Sequence, residues 1–414
     1  MTRHLLKLVW NRKRASALLT LEILISFLVL FGVATMAATG ILRWRKPLGF
    51  DYQNVWVAQM SLPPIPESPN PSRDASWEEQ MRERRAREAP WRTTFQRIMR
   101  DLRTLPQIEG VAVSGAPAFS TSEWISGTDF NGRRIQMTRD SVTDGYLELM
   151  HARLVRGRFF GPEDDTASVP PMVIDTDLAE NMFGSEDPIG KKFTFGEGND
   201  FRIVGIIEPF RKRGEFSPDK IRMGFDRVAL SGWRGATPDS IVIRVRPGTP
   251  PEFEEALTQR LHALAPDYPA RIRHMDSMRR SINRFFLAPV IIGLVVSTFL
   301  ILMVALGLSG VLWQNVTRRR REIGLRRALG ATGGSVHRQI LIEVALLATL
   351  AVIVGAVIVA QLPILGMFSL VTPAAYAIGI VAALATIYAL TLLCGLYPSW
   401  LASRVQPAEA LHYE

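Results

Sequence analysis

The segment GSEDPIGKK, from Gly184 to Lys192, is the nearest approach in this sequence to a phosphate-binding loop. In P-loop ATPases the pattern is G-x-x-x-x-G-K-[ST], in which the Lys reaches the phosphates and the hydroxyl binds Mg²⁺. Here five residues separate Gly184 from Gly190, and Lys192 occupies the hydroxyl position. The sequence therefore predicts no nucleotide site, and no ATPase activity, on this chain.

Other residue types that carry catalysis are scattered along the chain. None of the six histidines forms H-x-x-x-H or a spacing with acids that indicates a metal site. The G-x-S-x-G pattern of a nucleophilic serine is also missing from the sequence. We therefore predict no catalytic residue, no metal ligand and no cofactor on this chain.

Glu22 is a carboxylate at the edge of a long apolar run, and such a group is a functional candidate by default. At 1.5 Å per residue it lies about 12 Å along a helix from Arg14. We favour a pairing or snorkelling role near the interface over a role in proton coupling.

Long uncharged runs place most of the chain's apolar residues in or near a membrane. Residues 23–42, 285–316 and 344–403 contain no Asp, Glu, Lys or Arg. One span needs roughly 20 apolar residues, and the last run is long enough for two. Pro363 and Pro373 mark a turn within it, because proline disfavours helix in the preceding residue. We predict spans at residues 18–42 (TM1), 285–313 (TM2), 340–362 (TM3) and 376–401 (TM4).

The N-terminus also has the basic residues and apolar run of a signal peptide. The run is longer than the 7–15 apolar residues of such peptides, so we predict an uncleaved anchor.

Orientation follows from the Lys and Arg residues beside the spans. Residues 1–14 hold five of them, and residues 314–339 hold seven beside the single acid Glu322. We therefore predict cytoplasmic segments at residues 1–17, 314–339 and 402–414, a short outer turn at residues 363–375, and residues 43–284 outside the cytoplasm.

The formal net charge of +10 and the single cysteine, Cys394, further limit the class of protein to which this chain can belong. Most of the positive excess lies outside residues 43–284, so it reflects membrane topology. A nucleic-acid-binding protein would instead carry a basic patch on a soluble domain. The outer domain has no cysteine and must be held by an apolar core. We interpret Cys394 as a small packing residue.

Residues 43–284 have the pattern of a mixed α/β domain. Alternating residues predict strands near both of its ends, and helical spacing predicts helices at Trp77–Leu105 and Glu252–Leu264. We expect an outer α/β subdomain formed by residues 50–115 and 236–275, with a second subdomain of short strands inserted at residues 116–235. The predicted fold class is an α-helical membrane protein with four transmembrane helices and a large mixed α/β extracytoplasmic domain between helices 1 and 2.

Five segments of the sequence carry recognisable motifs. In the outer domain they are VTDGYLELMHARLVRGRFF (Val142–Phe160), MVIDTDLAENMFGSEDPIGKKFTF (Met172–Phe195) and FRIVGII (Phe201–Ile207). Nearer the membrane they are RRREIGLRRALGATGGSVHRQILIEV (Arg319–Val344) and YPSWLASRVQPAEALHYE (Tyr397–Glu414). Together they resemble the MacB/LolC/FtsX-like ABC transporter permeases, in whose order they occur, and the resemblance covers nearly the whole chain.

The resemblance implies a non-catalytic permease subunit of the mechanotransmission type in the bacterial cytoplasmic membrane. No ATPase region precedes the first span of this sequence, so ATP and Mg²⁺ are expected on a separate cytoplasmic ABC ATPase dimer. Further expected partners are a second permease protomer, identical or different, and a periplasmic adaptor or outer-membrane protein.

The resemblance also places the family's coupling helix in the connection between TM2 and TM3. The expected ATPase-coupling residues are Arg321, Glu322, Ile323, Gly324, Leu325, Arg326, Ala328, Leu329 and Gly330. The alternative for this segment is an amphipathic helix on the lipid surface.

The expected function is export or extraction of a substrate, driven by ATP hydrolysis in the partner. Two other functions stay open: an FtsX-like regulator of a cell-wall hydrolase, and a module that senses antimicrobial peptides. FtsX-like chains usually have a smaller outer domain and peptide-sensing permeases usually have ten spans, so the resemblance favours export. The substrate-binding residues and the substrate itself are not indicated by the sequence.

Overall fold

A computed structural model describes most of the chain. The described residues are 13–60, 90–91, 93–121, 124–195, 199–228, 240–318, 325, 332–366 and 371–403. The chain divides into two compact units. The helical unit consists of Met1–Leu42 and Phe286–Glu414, and the α/β unit consists of Arg43–Phe285.

Four long helices carry the apolar runs: α1 (Lys13–Trp44), α6 (Met275–Arg318), α7 (Gly333–Ile364) and α8 (Pro373–Ser403). All four are long and apolar enough to cross a membrane. Each extends beyond the span predicted from uncharged residues, and α6 begins ten residues earlier, at Met275. Charged residues such as Arg279 and Arg284 are compatible with helix but not with hydrocarbon, so the helix is longer than its uncharged part.

The helical unit packs through small residues as well as an apolar core. Phe27 and Phe31 of α1 are buried with Val304 of α6, Ala348 of α7 and Ile387 of α8. Glycines let the helices approach closely: a Cβ on Gly293 would lie 2.5 Å from Val33, and one on Gly355 would lie 2.5 Å from Phe27. Such close approach is how helices gain packing energy in lipid, where burial of apolar groups gives no driving force.

The predicted turn between the last two spans lies at the ends of α7 and α8. Pro363 falls in the last turn of α7, and Pro373 is the first residue of α8. Proline fits a first helical position because its missing N–H is not needed there. Gly366 has a φ of +80° after the end of α7, as is common after a helix C-terminus.

One eleven-stranded sheet runs through the α/β unit. The strands are β1 (Val55–Met60), β2 (Ile108–Ser114), β3 (Trp124–Phe130), β4 (Arg133–Val142), β5 (Leu154–Gly157), β6 (Pro171–Asp175), β7 (Lys192–Phe195), β8 (Asn199–Ile207), β9 (Met223–Arg227), β10 (Ser240–Val245) and β11 (Ala270–His274). Their order is β11-β1-β10-β2-β4-β9-β6-β8-β5, while β3 pairs with β4 and β7 pairs with β8.

The first half of the sheet contains β1, β2, β10 and β11. It is therefore built from the N-terminal and the C-terminal parts of the unit. The N-terminal β1 lies between the C-terminal β10 and β11, antiparallel to both. Two helices cover it: α2, helical at residues 90–91 and 93–102, and α5 (Glu252–Leu264). Phe95 and Leu102 of α2 and Leu257 of α5 are buried against Val113 and Ile243 of the sheet. The part of the predicted helix Trp77–Leu105 before residue 90 lies outside the described residues.

The second half contains β3 to β9 and the short helices α3 (Tyr146–Leu149) and α4 (Thr176–Phe183). The two halves meet where Ser114 of β2 lies opposite Val142 of β4. Asp175 caps α4 by accepting a hydrogen bond from the Leu178 amide at 2.8 Å, as expected for Asp at a helix N-cap. Leu178 then packs into a core with Met172 and Ile203.

Membrane orientation can be tested with single cysteines in a Cys394→Ala background. The charge asymmetry predicts that Thr121, exposed in the α/β unit, lies outside the cytoplasm and that Ser335, exposed near the start of α7, lies inside. An impermeant maleimide added to intact cells should label Thr121→Cys, and should label Ser335→Cys only after the cells are lysed. The reverse pattern would refute this topology.

Candidate functional site: a charged joint in the α/β unit

The chain enters and leaves the α/β unit beside one loop. The β8–β9 loop, residues 208–222, contacts both the C-terminal end of α1 and the first turns of α6. We call this contact the joint. Its members are Arg43, Trp44, Lys46, Arg211, Glu215, Phe216, Asp219, Arg279 and Asn283.

On the α6 side of the joint, Arg279 pairs with a buried carboxylate. Its guanidinium donates to Oε1 of Glu215 from Nε at 2.6 Å and from Nη2 at 2.5 Å. Asn283, one helical turn later, donates to Oε2 of Glu215 at 3.3 Å. Glu215 is only 5% exposed, and a buried charge is tolerated only when it is paired and hydrogen-bonded. The loop and α6 are therefore held together by an interaction that is costly to break.

On the α1 side of the joint, Asp219 is the acceptor. Lys46 lies 2.5 Å from Oδ1 of Asp219, and Nε of Arg43 lies 3.7 Å from Oδ2. Partial burial alone would raise the pKa of Asp219, but the hydrogen bond from Lys46 and the charges of Lys46, Arg43 and Arg211 lower it. Asp219 is therefore ionised near neutral pH, and its two cationic partners belong to the end of α1 and the residues just after it.

Aromatic contacts link the two sides. The Arg279 guanidinium lies over the ring of Trp44 at 5.5 Å and over the ring of Tyr52 at 5.0 Å. Trp44 in turn lies 6.0 Å from the ring of Phe216. A cation over an aromatic face is attracted to it by about 0.5–2 kcal/mol, depending on desolvation. The end of α1, the start of α6 and the loop are therefore linked by direct side-chain contacts.

The β8–β9 loop itself is held in one shape. Residues Gly214–Phe216 form a 3₁₀ turn, and Gly214 has a φ of +79° that favours glycine. Arg211 is buried and donates from Nη2 to the carbonyl of Glu215 at 2.7 Å and to that of Ser217 at 3.2 Å. Its own backbone N–H donates to the carbonyl of Leu48 at 2.8 Å.

The segment after α1 also packs on the start of the loop. Phe50 stacks on Phe210 with ring centroids 4.4 Å apart. A Cβ on Gly49, where φ is +80°, would overlap the carbonyl of Pro209. The loop and the segment after α1 therefore form one packed element.

The charged groups of the joint are paired with one another. Its carboxylates are committed to cations, and within the described residues no group of three or more His, Cys, Asp or Glu side chains is placed to hold a metal ion. These charged pairs attach the β8–β9 loop to the end of α1 and to the first turns of α6.

The predicted ATPase-coupling residues are mostly outside the described part of the chain. Arg321, Glu322, Ile323, Gly324, Arg326, Ala328, Leu329 and Gly330 lie there. Leu325 is described: it is helical and 53% exposed. An exposed leucine on the connection suits a contact with a partner, although the role of this residue stays a prediction. Glu22 is half-buried in α1, with its Oε2 3.0 Å from where a Cβ on Gly307 would lie.

Sequence reasoning did not find the joint. The available signal was the dense run of charges in RKRGEFSPDK, Arg211 to Lys220. Such a run is usually a solvated face. Its partners lie far away in the sequence, at Arg43, Lys46 and Arg279, and no periodicity connects them.

The four apolar helices, each long enough to cross a membrane, and the α/β domain inserted between the first two are those of a multi-pass membrane protein. A family model described as the MacB-like periplasmic core domain matches residues 47–260, and one described as the FtsX-like permease C-terminal region matches residues 294–407. The chain therefore belongs to the family of MacB/FtsX-like ABC transporter permeases, and the predicted resemblance and fold class are confirmed. This family implies a cytoplasmic ATPase partner.

Named relatives agree with this assignment. The uncharacterized ABC transporter permease YknZ of Bacillus subtilis is 25% identical over 76% of this chain and 78% of its own length. The macrolide export ATP-binding/permease protein MacB of Bordetella avium is also 25% identical, over 59% of this chain and 37% of its own length. The chain thus matches well under half of that longer protein.

Among solved structures, the periplasmic region of MacB from Actinobacillus actinomycetemcomitans is similar over 57% of this chain and 94% of that one. The TM-score is 0.38 and the identity is 15%. The family assignment does not depend on this likeness.

Proposed function

We propose that this chain is the non-catalytic permease subunit of an ABC transporter in the bacterial cytoplasmic membrane and that it drives export or extraction of a substrate. ATP binding and hydrolysis take place on a separate cytoplasmic ATPase dimer, which contacts the connection around Leu325. The motion passes along α1 and α6 to the joint, and from the joint to the α/β domain on the far side. Substrate is captured and expelled there without passing between the spans.

The observation that carries this proposal is the pairing of Arg279 with the buried Glu215. Arg279 lies in the second turn of α6, a helix of 44 residues that ends at Arg318 beside the predicted coupling segment. At 1.5 Å per residue such a helix is about 66 Å long, about twice the thickness of a hydrocarbon core. One continuous helix therefore runs from the joint to the predicted coupling segment.

A second permease protomer, and a periplasmic adaptor or outer-membrane partner, complete the proposed assembly. The α/β domain of one protomer would then work against that of the other. The chemical nature of the substrate is addressed by co-purification from the native membrane, because any molecule held by the α/β domain should accompany the complex.

The test is nucleotide-driven motion at the joint. A spin label at Ser277→Cys, exposed in the first turn of α6, should change mobility when the reconstituted complex of permease and ATPase binds a non-hydrolysable ATP analogue. A label at Asp267→Cys, in the exposed turn before β11, serves as the control and should change less. Both variants are made with Cys394→Ala.

The permease alone should neither bind nor hydrolyse ATP, because its nearest approach to a phosphate loop lacks the required spacing and hydroxyl. Saturable hydrolysis by the lone chain, with the partner excluded, would refute the division of labour. Identical spectra at Ser277→Cys with and without nucleotide would refute transmission through α6.

A further inference from the structure

The β8–β9 loop has a second face, which lines a cavity inside the α/β unit. The cavity has a volume of about 220 Å³ and lies between this loop and β4. Four of its lining residues are cations: Lys212, Arg213, Lys220 and Arg222. No carboxylate is found among the described residues that line it. The cavity is therefore electropositive.

Two buried polar groups in this cavity have no hydrogen-bond partner among the described residues. Ser217 is 1% exposed, and its Oγ makes no such bond. Nε of Arg222 is buried and is likewise without a hydrogen-bond acceptor in that part of the chain. Leaving a buried polar group unsatisfied is energetically costly, and more so if the group is charged. Two such groups on residues that line one concave site require an explanation, and a bound acceptor would supply one.

Nearby carboxylates balance part of the positive charge of the cavity. Asp175 accepts the Met223 amide at 2.9 Å, and Asp177 accepts the Ile221 amide at 3.1 Å. Burial raises the pKa of Asp140 to about 6, and the ammonium of Lys212 opposes that shift. Asp219 is bound by Lys46 in the joint. The positive charge of the cavity is therefore only partly balanced from within the protein.

The backbone at Arg222 is held in a sparsely populated conformation. Its φ is +54°, which is uncommon and strained for a residue with a side chain. The carbonyl of Arg222 accepts the Thr138 amide at 3.0 Å, and the amides on either side of Arg222 are held by Asp177 and Asp175. These three hydrogen bonds hold the backbone at Arg222 in place beside the cavity. Strain of this kind concentrates at ligand-binding sites.

From this geometry we infer that the cavity binds a phosphate group, either free or on an amphiphile. Guanidinium groups bind phosphate oxygens with charge-assisted hydrogen bonds, and a serine hydroxyl can add one more. Four cations suit a phosphate, which can carry two negative charges, better than a single carboxylate. Apolar side chains such as Ile125 and Met137 also line the cavity and would accept an attached chain.

The inference can be tested by titration calorimetry on the full chain in a neutral maltoside detergent at low salt. The probes are inorganic phosphate and dihexanoyl phosphatidic acid, with dihexanoyl phosphatidylcholine as a zwitterionic comparison. We expect saturable binding of at least one of the first two. Equal affinity for both would identify free phosphate as the ligand, and a higher affinity for the phosphatidic acid would identify an amphiphile.

Two variants locate the site. Arg222→Gln and Ser217→Ala should each weaken binding of the bound probe by roughly tenfold, since each removes one hydrogen bond to a charged group. Arg271→Gln, which removes an exposed cation of β11, is the matched control and should leave the affinity unchanged. Ser217→Ala should leave the melting temperature without probe unchanged or higher, because it removes a hydroxyl with no partner among the described residues.

Several outcomes would overturn the inference. They are no saturable binding of either phosphate probe, equal weakening by Arg271→Gln, or a Ser217→Ala variant that melts earlier while binding normally. None of these measurements needs the ATPase. A failure of the proposed coupling function would therefore leave them unaffected.

Discussion

Arg279→Met should destabilise the α/β domain by about 3–5 kcal/mol, the usual cost of removing one partner of a buried ion pair. Glu215 is 5% exposed and, within the described part of the chain, would retain only the amide of Asn283 as a side-chain donor. For a domain of this size the change corresponds to a fall of roughly 6–20 °C in apparent melting temperature. Tryptophan fluorescence of the full chain in detergent during heating measures it.

The same helix supplies the control for this prediction. Arg280 pairs with Asp276 one turn earlier, but both side chains are largely exposed, so Arg280→Met should change the melting temperature little. The double variant Arg279→Met with Glu215→Gln should be more stable than Arg279→Met alone, because no buried charge is then left unpaired. Equal effects of Arg279→Met and Arg280→Met would show that the joint is not held by this pair.

Leu325→Asp should weaken binding of the ATPase by at least tenfold to a hundredfold. Burying a leucine side chain in a contact contributes roughly 1.5–3 kcal/mol, and about 1.4 kcal/mol corresponds to a factor of ten. Leu325 is 53% exposed in this chain, so its apolar surface is accessible to a partner. Co-purification with the ATPase and ATP hydrolysis by the reconstituted complex are the two measurements.

Arg318→Ala is the control for Leu325→Asp, because it changes one of seven basic residues in the same connection. A connection that rests on lipid would respond to Leu325→Asp differently, by loosening from the membrane while assembly with the ATPase stays normal. Normal assembly together with normal hydrolysis in Leu325→Asp would therefore remove the connection from the proposed mechanism.

The sequence predicts the centres of the membrane helices well and their ends poorly. A long uncharged run requires a span, so all four helices are found. At the start of α6, however, Arg279 and Arg284 resemble loop residues, and only their positions on a continuous helix show otherwise. Similarly, β5 is exposed along its whole length, so its sequence shows no alternation of apolar and polar residues that would predict a strand.

The joint could not be predicted for a different physical reason. Glu215 and Arg279 are 64 residues apart, and a pair of charges has no sequence period that would reveal it. The family resemblance predicts the class of protein. The specific contacts between the helix ends and the loop depend on tertiary packing, which the sequence does not show. The sequence likewise cannot show that the Ser217 hydroxyl has no hydrogen-bond partner among the described residues.

The pairing of β1 with β11 has an evolutionary consequence. Val57 lies opposite Arg273, so the first and last strands of the inserted domain are neighbours, about 4.8 Å apart as in any sheet. An insertion whose two ends lie side by side can be exchanged for another without separating the elements that flank it. We therefore expect that the whole inserted domain can be replaced as one unit by a domain of different size, while α1 and α6 keep their separation.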